Sequence, residues 1–296
     1  YSQVLTNNIW PNVSTSQRAQ NLTTDILILD FEPKEYQANV EPDSIWAGVV
    51  TPMFIGDYDQ TRSRFFEIWL RGNQGNLTID LGKISEDYND NGSLNNEDIP
   101  DAGLALGNGF LEDSEDTGLD GCFDGFEDGW GDCLDVEEGI TYQEYLSSGE
   151  MTIINSGSDV DVNDPNGDNW DYVEGSSDYS KVNGTEGNGT GDRIQAGGKY
   201  PDSEDLDQSG FLDRANDYFT KTISLDDNTY IAGSTEVDGQ ETGWKLVRIP
   251  ISHFEKVQDI SLSEIKYVRL VVSGIDQPSD VEIAKIELVG NAWEEV

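Results

Sequence analysis

Eight short stretches are rich in apolar, strand-favouring residues and are separated by polar, turn-forming residues. Four of them, Asp25–Phe31, Ile45–Thr51, Arg64–Leu70 and Asn76–Leu81, lie before residue 84. The other four, Tyr218–Leu225, Trp244–Ile251, Tyr267–Val272 and Val281–Leu288, lie after residue 217. In Asn76–Leu81 the residues Leu77, Ile79 and Leu81 share one face, the period of two that marks a half-buried strand. Val281–Leu288 also alternates, but both of its faces mix apolar and charged residues. That mixture predicts a strand near a sheet edge. No long segment keeps an apolar period of 3.6, so helices are confined to short turns, expected at Ser261–Ile265 and Thr141–Leu146.

Eight strands with polar connections predict an all-β fold, a jelly-roll β-sandwich. Neither flank alone can bury two sheets, whereas together they have the length of one domain. The sandwich is therefore read as discontinuous, 21–83 plus 218–296. Residues 84–217 then form a long acidic, calcium-binding loop insertion, and residues 1–20 an N-terminal extended arm. An insertion this long with little regular structure points to function or bound metal. The arm spaces Val4, Leu5, Ile9, Trp10 and Val13 among polar residues. Two places suit it: a strand added to a neighbouring copy's sheet, or packing on its own domain.

Charge narrows the function. The 296 residues hold 59 acids against 17 bases, a formal net charge of −42. No basic face is available for phosphates, which excludes nucleic acid as a partner. No run of about 18 apolar residues exists, so no membrane-spanning helix is expected. Between Ile84 and Leu225 lie 35 acids and 5 bases, while the rest of the chain holds 24 and 12. Self-repulsion on this scale opposes a compact fold unless cations offset it. Yet 35% of residues are hydrophobic and 10% aromatic, which suits a folded chain rather than a disordered one.

The acids fall at ligand spacing. Asp87, Asn89, Asn91, Gly92, Ser93, Asn95 and Asp98 occupy positions 1, 3, 5, 6, 7, 9 and 12 of a twelve-residue EF-hand-type loop. Calcium is a hard ion that takes six to eight oxygens, and alternate Asp and Asn side chains wrap it while a glycine at position 6 makes the turn. A second loop places Asp205, Asp207, Ser209, Gly210, Phe211, Asp213 and Asn216 at the same positions. Asn216 closes it more weakly than a bidentate carboxylate, so Asp202 or Asp217 is a candidate to complete the shell. Two further clusters, Asp164, Asn166, Asp168 and Asp171, and Asp116, Asp120, Asp124 and Asp128, repeat Asp and Gly in looser registers. Two or more Ca²⁺ ions are expected. The alternative for each cluster is a solvated turn.

Cys122 and Cys133 are too few for a zinc site, which needs four ligands. A disulfide closing a short acidic loop is the preferred reading, with two free thiols in a reducing compartment as the alternative. Asn12, Asn21, Asn76, Asn91, Asn183 and Asn188 each begin an Asn-x-Ser/Thr sequon.

Several stretches resemble a known family. Leu22–Pro33, Phe66–Leu70, Gly75–Asp87, Asp116–Gly121, Val182–Asn188 and Pro201–Gly210 resemble, in order, the extracellular portion of the SprA/Sov cell-surface proteins. Those proteins form the outer-membrane translocon of the bacterial type IX secretion and gliding system. The resemblance implies a non-enzymatic β-sandwich module at the bacterial cell surface. SprA-type proteins are giant barrels, and no amphipathic transmembrane strands are evident here. The chain is thus expected to be an excised module or a stand-alone relative.

Three functions compete. The leading one is a calcium-stabilised structural module of a surface assembly, a homo-oligomer or polymer such as a fibre. The second is a carbohydrate-binding or adhesion module, with the loop residues Trp130 and Trp170 as the glycan contacts. The third, a glycosidase with paired carboxylates, is set aside, because among 59 acids some pair always fits. No catalytic residue is assigned, and the single histidine, His253, is read as a surface loop residue.

Overall fold

The alternating segments build a sandwich of two antiparallel sheets. In the computed structural model the described residues are 2–12, 23–31, 46–53, 60–87, 90, 92–99, 107–112, 114–127, 133–134, 163–170, 184–188 and 201–290. Their strands are β1 (Ser2–Leu5), β2 (Thr23–Phe31), β3 (Trp46–Pro52), β4 (Phe65–Arg71), β5 (Asn76–Lys83) and β6 (Asp217–Ser224). They continue with β7 (Ile231–Val237), β8 (Gln240–Pro250), β9 (Glu255–Val257), β10 (Tyr267–Ser273) and β11 (Ser279–Val289). One sheet has the order β1-β2-β11-β4-β8-β7 and the other β3-β10-β5-β6-β9. The chain crosses between sheets repeatedly, so sequence neighbours such as β3 and β4 lie in different layers.

The inner faces carry the core. On β4, Phe66, Ile68 and Leu70 point inward, and on β5, Leu77, Ile79 and Leu81; all six are fully buried. They pack with Val268, Leu270 and Val272 of β10 and with Val247 and Ile249 of β8. At roughly 25 cal/mol per Å² of apolar surface, burying each such side chain contributes about 1.5–3 kcal/mol. The buried charges within the sandwich are paired: Asp80 with Arg269 at 2.8 Å, and Glu282 with Arg71.

β11 departs from expectation. It lies between β2 and β4 rather than at a sheet edge. The register against β4 shifts between Ile283 and Lys285. This bulge, one extra residue on one strand, reverses the alternation. Val281 and Ile283 face the core before it, and Ile286 and Leu288 pack against the core after it. A strict period of two therefore reads two mixed faces where the structure has one apolar face. The expected turn at Ser261–Ile265 is present as a 3-10 turn, Leu262–Glu264, closed by a capping box between Ser261 and Glu264. The turn expected at Thr141–Leu146 lies outside the described residues.

The arm lies on its own domain. β1 pairs antiparallel with β2, Val4 opposite Thr24. A single helical turn, α1 (Thr6–Ile9), follows. Ile9 is fully buried against Ile26 and Trp244, with Trp10, Trp69, Ile28 and Ala284 around them. These residues form a second, smaller apolar cluster beside the main core. Residues 13–20 lie outside the described residues.

The chain divides into two compact units, Tyr1–Ile84 with Ala215–Val296, and Ser85–Arg214. β5 and β6 are antiparallel neighbours, with Lys83 opposite Asp217. Such a pair needs only a two-residue turn, and here the whole second unit takes that turn's place.

Ile9→Ala is expected to cost about 2–4 kcal/mol in denaturant unfolding, the usual range for truncating a buried Ile. Trp46→Ala, at a residue 66% exposed, is expected to stay within about 0.5 kcal/mol. Equal effects would contradict the packing of the arm.

Candidate metal centre

The second unit is built from buried acids. Among its described residues the buried apolar ones are few, with Leu111, Cys122, Leu134 and Trp170 the main examples. Glu86, Glu97, Asp116, Asp120, Glu127 and Glu204 are also buried. Their carboxylates take up backbone amides. Glu97 accepts from the amides of Thr117 at 3.1 Å, Gly118 at 2.8 Å and Asp202 at 2.6 Å. Glu86 accepts from Leu206 at 3.0 Å, Asp207 at 3.3 Å and Asp213 at 3.0 Å. Glu204 accepts from Asn95, and Asp116 from Gly187, each at 2.8 Å. A hydrogen bond to a charged group contributes roughly 1.5–3 kcal/mol, so each buried acid ties distant segments together.

The loop at 205–213 has the expected ion-binding backbone. The Asp205 carboxylate accepts from the amides of Ser209 at 2.9 Å and Gly210 at 2.7 Å. Position 1 thus braces positions 5 and 6. Gly210 adopts φ +77°, a left-handed turn that suits glycine. Ser209 also donates its hydroxyl to the carbonyl of Phe211 at 3.1 Å, while the Phe211 side chain is exposed. Carboxylate oxygens of Asp207 and Asp213 converge with one from Glu86, all within 4.8 Å of one another. Oxygens bound at 2.3–2.6 Å stand at most about 5 Å apart across a calcium-sized ion, so this spacing fits a cation. Glu86 supplies the carboxylate that the sequence sought at the end of the loop. The expected closing residue, Asn216, is exposed.

The first loop behaves differently. The Asp87 carboxylate takes the Gly92 amide at 3.1 Å and the Arg214 guanidinium at 2.9 Å. Asp98 turns to the Gly109 amide at 3.0 Å. The Asn95 side chain donates to the Leu119 carbonyl at 3.1 Å, and Ser93 is exposed. Among the described residues, neither Asp87 nor Asp98 joins a convergent group of three carboxylates. The reason is local: Arg214, the one basic residue described in this unit, already sits at Asp87. Asn89 and Asn91 lie outside the described residues. The most regular motif in the sequence is thus the one with an internal cation.

The two looser clusters merge. Asp120, Glu127 and Asp168 form one convergent group, and Asp124, Glu127 and Glu186 another. Asp164 braces this region from outside, accepting the Asp168 amide at 2.9 Å, and Asn166 donates its amide N–H to Glu127 at 2.8 Å. Asp116 accepts from Gly187 and belongs to neither group. Glu127 lies within the Asp116–Asp128 stretch but was not named as a ligand, and Glu186, like Glu86, lies off any single-loop spacing. Asp128, Asp171 and Trp130 lie outside the described residues. Cys122 and Cys133 form a disulfide, which closes the acidic loop carrying Glu127. Trp170 is buried, and its amide donates to the Glu186 carbonyl at 2.9 Å. Its side chain, named above as a candidate glycan contact, is not solvent-facing.

Electrostatics marks the same place. Two full charges 4.8 Å apart repel by roughly 3 kcal/mol at an effective dielectric of about 20. Burial and the neighbouring carboxylates push Glu127 and Glu186 up to about 8 and Asp168 up to about 7. Burial likewise raises Glu97 to about 7, against its amide bonds. Such acids either hold protons near neutrality or face a positive charge. Residues that converge, with little basic charge nearby and oxygen donors only, fit a hard divalent cation.

No protein-family model matches the sequence, and no curated protein matches it. The site is therefore read from its own geometry. No helix among the described residues is long and apolar enough to cross a membrane.

Without divalent cations these raised acids stabilise the fold while protonated. That contribution is fully present below the unfolded-state value of about 4.5 and is lost as pH rises through about 7–8. In excess EDTA the melting temperature of the second unit is expected to fall between pH 5 and 8. With millimolar calcium the fall is expected to vanish or reverse, since binding needs the deprotonated form. Identical pH profiles in the two conditions would contradict the assignment.

Proposed function

We propose that this chain is a non-enzymatic, calcium-stabilised structural module of a bacterial extracellular surface assembly. The observation that carries the reading is the loop at 205–213. There Asp205 braces the turn, and Asp207 and Asp213 meet the buried Glu86. The ion's role in this reading is mechanical. It neutralises a packed acidic unit and lets carboxylates serve where apolar side chains serve elsewhere. Calcium is the ion of choice because the donors are all oxygen and the loop has the flexible wrap that calcium accepts.

The extracellular placement draws support from the Cys122–Cys133 disulfide, since such bonds persist in oxidising compartments. The bacterial surface placement rests on the resemblance to the SprA/Sov proteins, within which a translocon module is the alternative setting. Assembly with other copies is the finer part of the proposal. Among the described residues β1 is an edge strand that pairs with β2 alone, and its exchange between copies would join sandwiches without new surface. The non-enzymatic reading is supported by the surroundings of His253, exposed and bonded to the Tyr230 hydroxyl at 3.2 Å. The glycan-binding alternative has weaker support. Trp170 is buried, and Trp244 lies fully buried under the Arg71 guanidinium.

Excess EDTA is expected to lower the melting temperature and open the acidic unit to protease. Asp207→Asn is expected to reproduce part of that loss in the presence of calcium. Sedimentation of the calcium-loaded chain is expected to show concentration-dependent oligomers. Melting and proteolysis unmoved by EDTA would overturn the calcium role, and a monomer at all concentrations would overturn the assembly.

A further inference from the structure

We propose that Glu127 bridges a pair of divalent cations, so that the centre beside the disulfide is a two-ion site. The choice of calcium rests on the function proposed above; the pairing rests on geometry. Two convergent groups of carboxylates share one residue: Asp120 and Asp168 converge with Glu127 in one group, and Asp124 and Glu186 converge with it in the other. Glu127 has no solvent exposure. Its Oε2 accepts from the Asn166 amide at 2.8 Å, while its Oε1 is buried without a hydrogen-bond partner. Asp168 Oδ1 is likewise buried and unpartnered. A buried carboxylate oxygen without a donor is costly, and two occur inside one cluster.

The frame holds these oxygens in place from three segments of chain. Asp124 and Glu127 stand three residues apart across a 3-10 turn, Asp124–Phe126. Glu127 is also bridged to Cys133, and the Leu134 amide bonds the Phe126 carbonyl at 2.7 Å. The disulfide therefore closes directly over the bridging residue. Asp168 and Glu186 ride on segments paired through Asn169, with the Glu186 amide on the Asp168 carbonyl at 3.0 Å. Charge favours two ions over one. When ionised, the five carboxylates, two buried and three half-buried, carry five negative charges; one divalent ion leaves three unbalanced, and two leave one. A single carboxylate bridging two hard cations through its two oxygens is ordinary coordination for oxygen ligands.

The test counts calcium in the full chain. Protein stripped by chelator is titrated with CaCl₂ alone and the bound ions per chain are measured. Disulfide integrity and near-ultraviolet circular dichroism confirm folding. Relative to wild type, Glu127→Gln is expected to lose two ions, and Asp168→Asn and Glu186→Gln one each. Asp207→Asn is expected to lose one ion from the separate 205–213 loop. If Glu127→Gln disrupts the unit, the double variant Asp168→Asn/Glu186→Gln decides: a loss of two ions supports the pair, and a loss of one means both residues serve a single ion and overturns it. A folded Glu127→Gln protein losing one ion or none also overturns it. Wild-type protein that binds no calcium overturns the calcium reading itself, whereas a loss confined to Asp207→Asn overturns the bridged pair alone.

Discussion

The structure turns on the burial of negative charge with little positive charge to meet it. In the second unit the described residues include one basic side chain, Arg214, and it is spent on Asp87 and Asp90. Burying an uncompensated carboxylate costs several kcal/mol. A chain that nonetheless buries Glu86, Glu97, Glu127 and Glu204 needs hydrogen-bond donors, protons or external cations to do so. Glu97 is satisfied by three amides. The convergent groups around Glu127 and at Glu86 have the geometry for cations, and without cations the raised acids hold protons.

The two units therefore cohere by different physics. The sandwich has a continuous apolar core between its sheets and pairs its few buried charges with arginine. Among its described residues, the second unit buries few apolar side chains and pins carboxylates to amides from distant segments. Hydrophobic burial is non-directional and tolerant of detail. Amide-to-carboxylate bonding is directional, so it fixes loop geometry closely but does little to offset repulsion between neighbouring acids. A bound cation would supply what the amides lack, which is charge.

Much of the sandwich was legible because a half-buried strand writes its period into the sequence. Leu77, Ile79 and Leu81 show it plainly. β11 misled because a bulge at Ile283–Lys285 shifts the phase, and no local signal announces a bulge. β7 and β9 escaped because Gly233 and the short span of Glu255–Val257 hide the alternation. The candidate ion site was half legible. Asp207 and Asp213 stood out by loop spacing, but Glu86 and Glu186 join from other segments, and no spacing rule links them. Among the described residues the regular loop at Asp87 joins no convergent group; Arg214, which bonds Asp87, lies far along the chain, and its placement there is a product of folding.

The central claim is that cations, and not apolar packing, hold the second unit together. Hydrogen–deuterium exchange with and without calcium tests it most directly. On calcium removal the amides of Thr117, Gly118, Asn166 and Gly187, each bonded to a carboxylate, are expected to lose protection by tenfold or more, while those of β4 and β5 keep theirs. Unchanged protection at these amides after complete chelation would contradict the account.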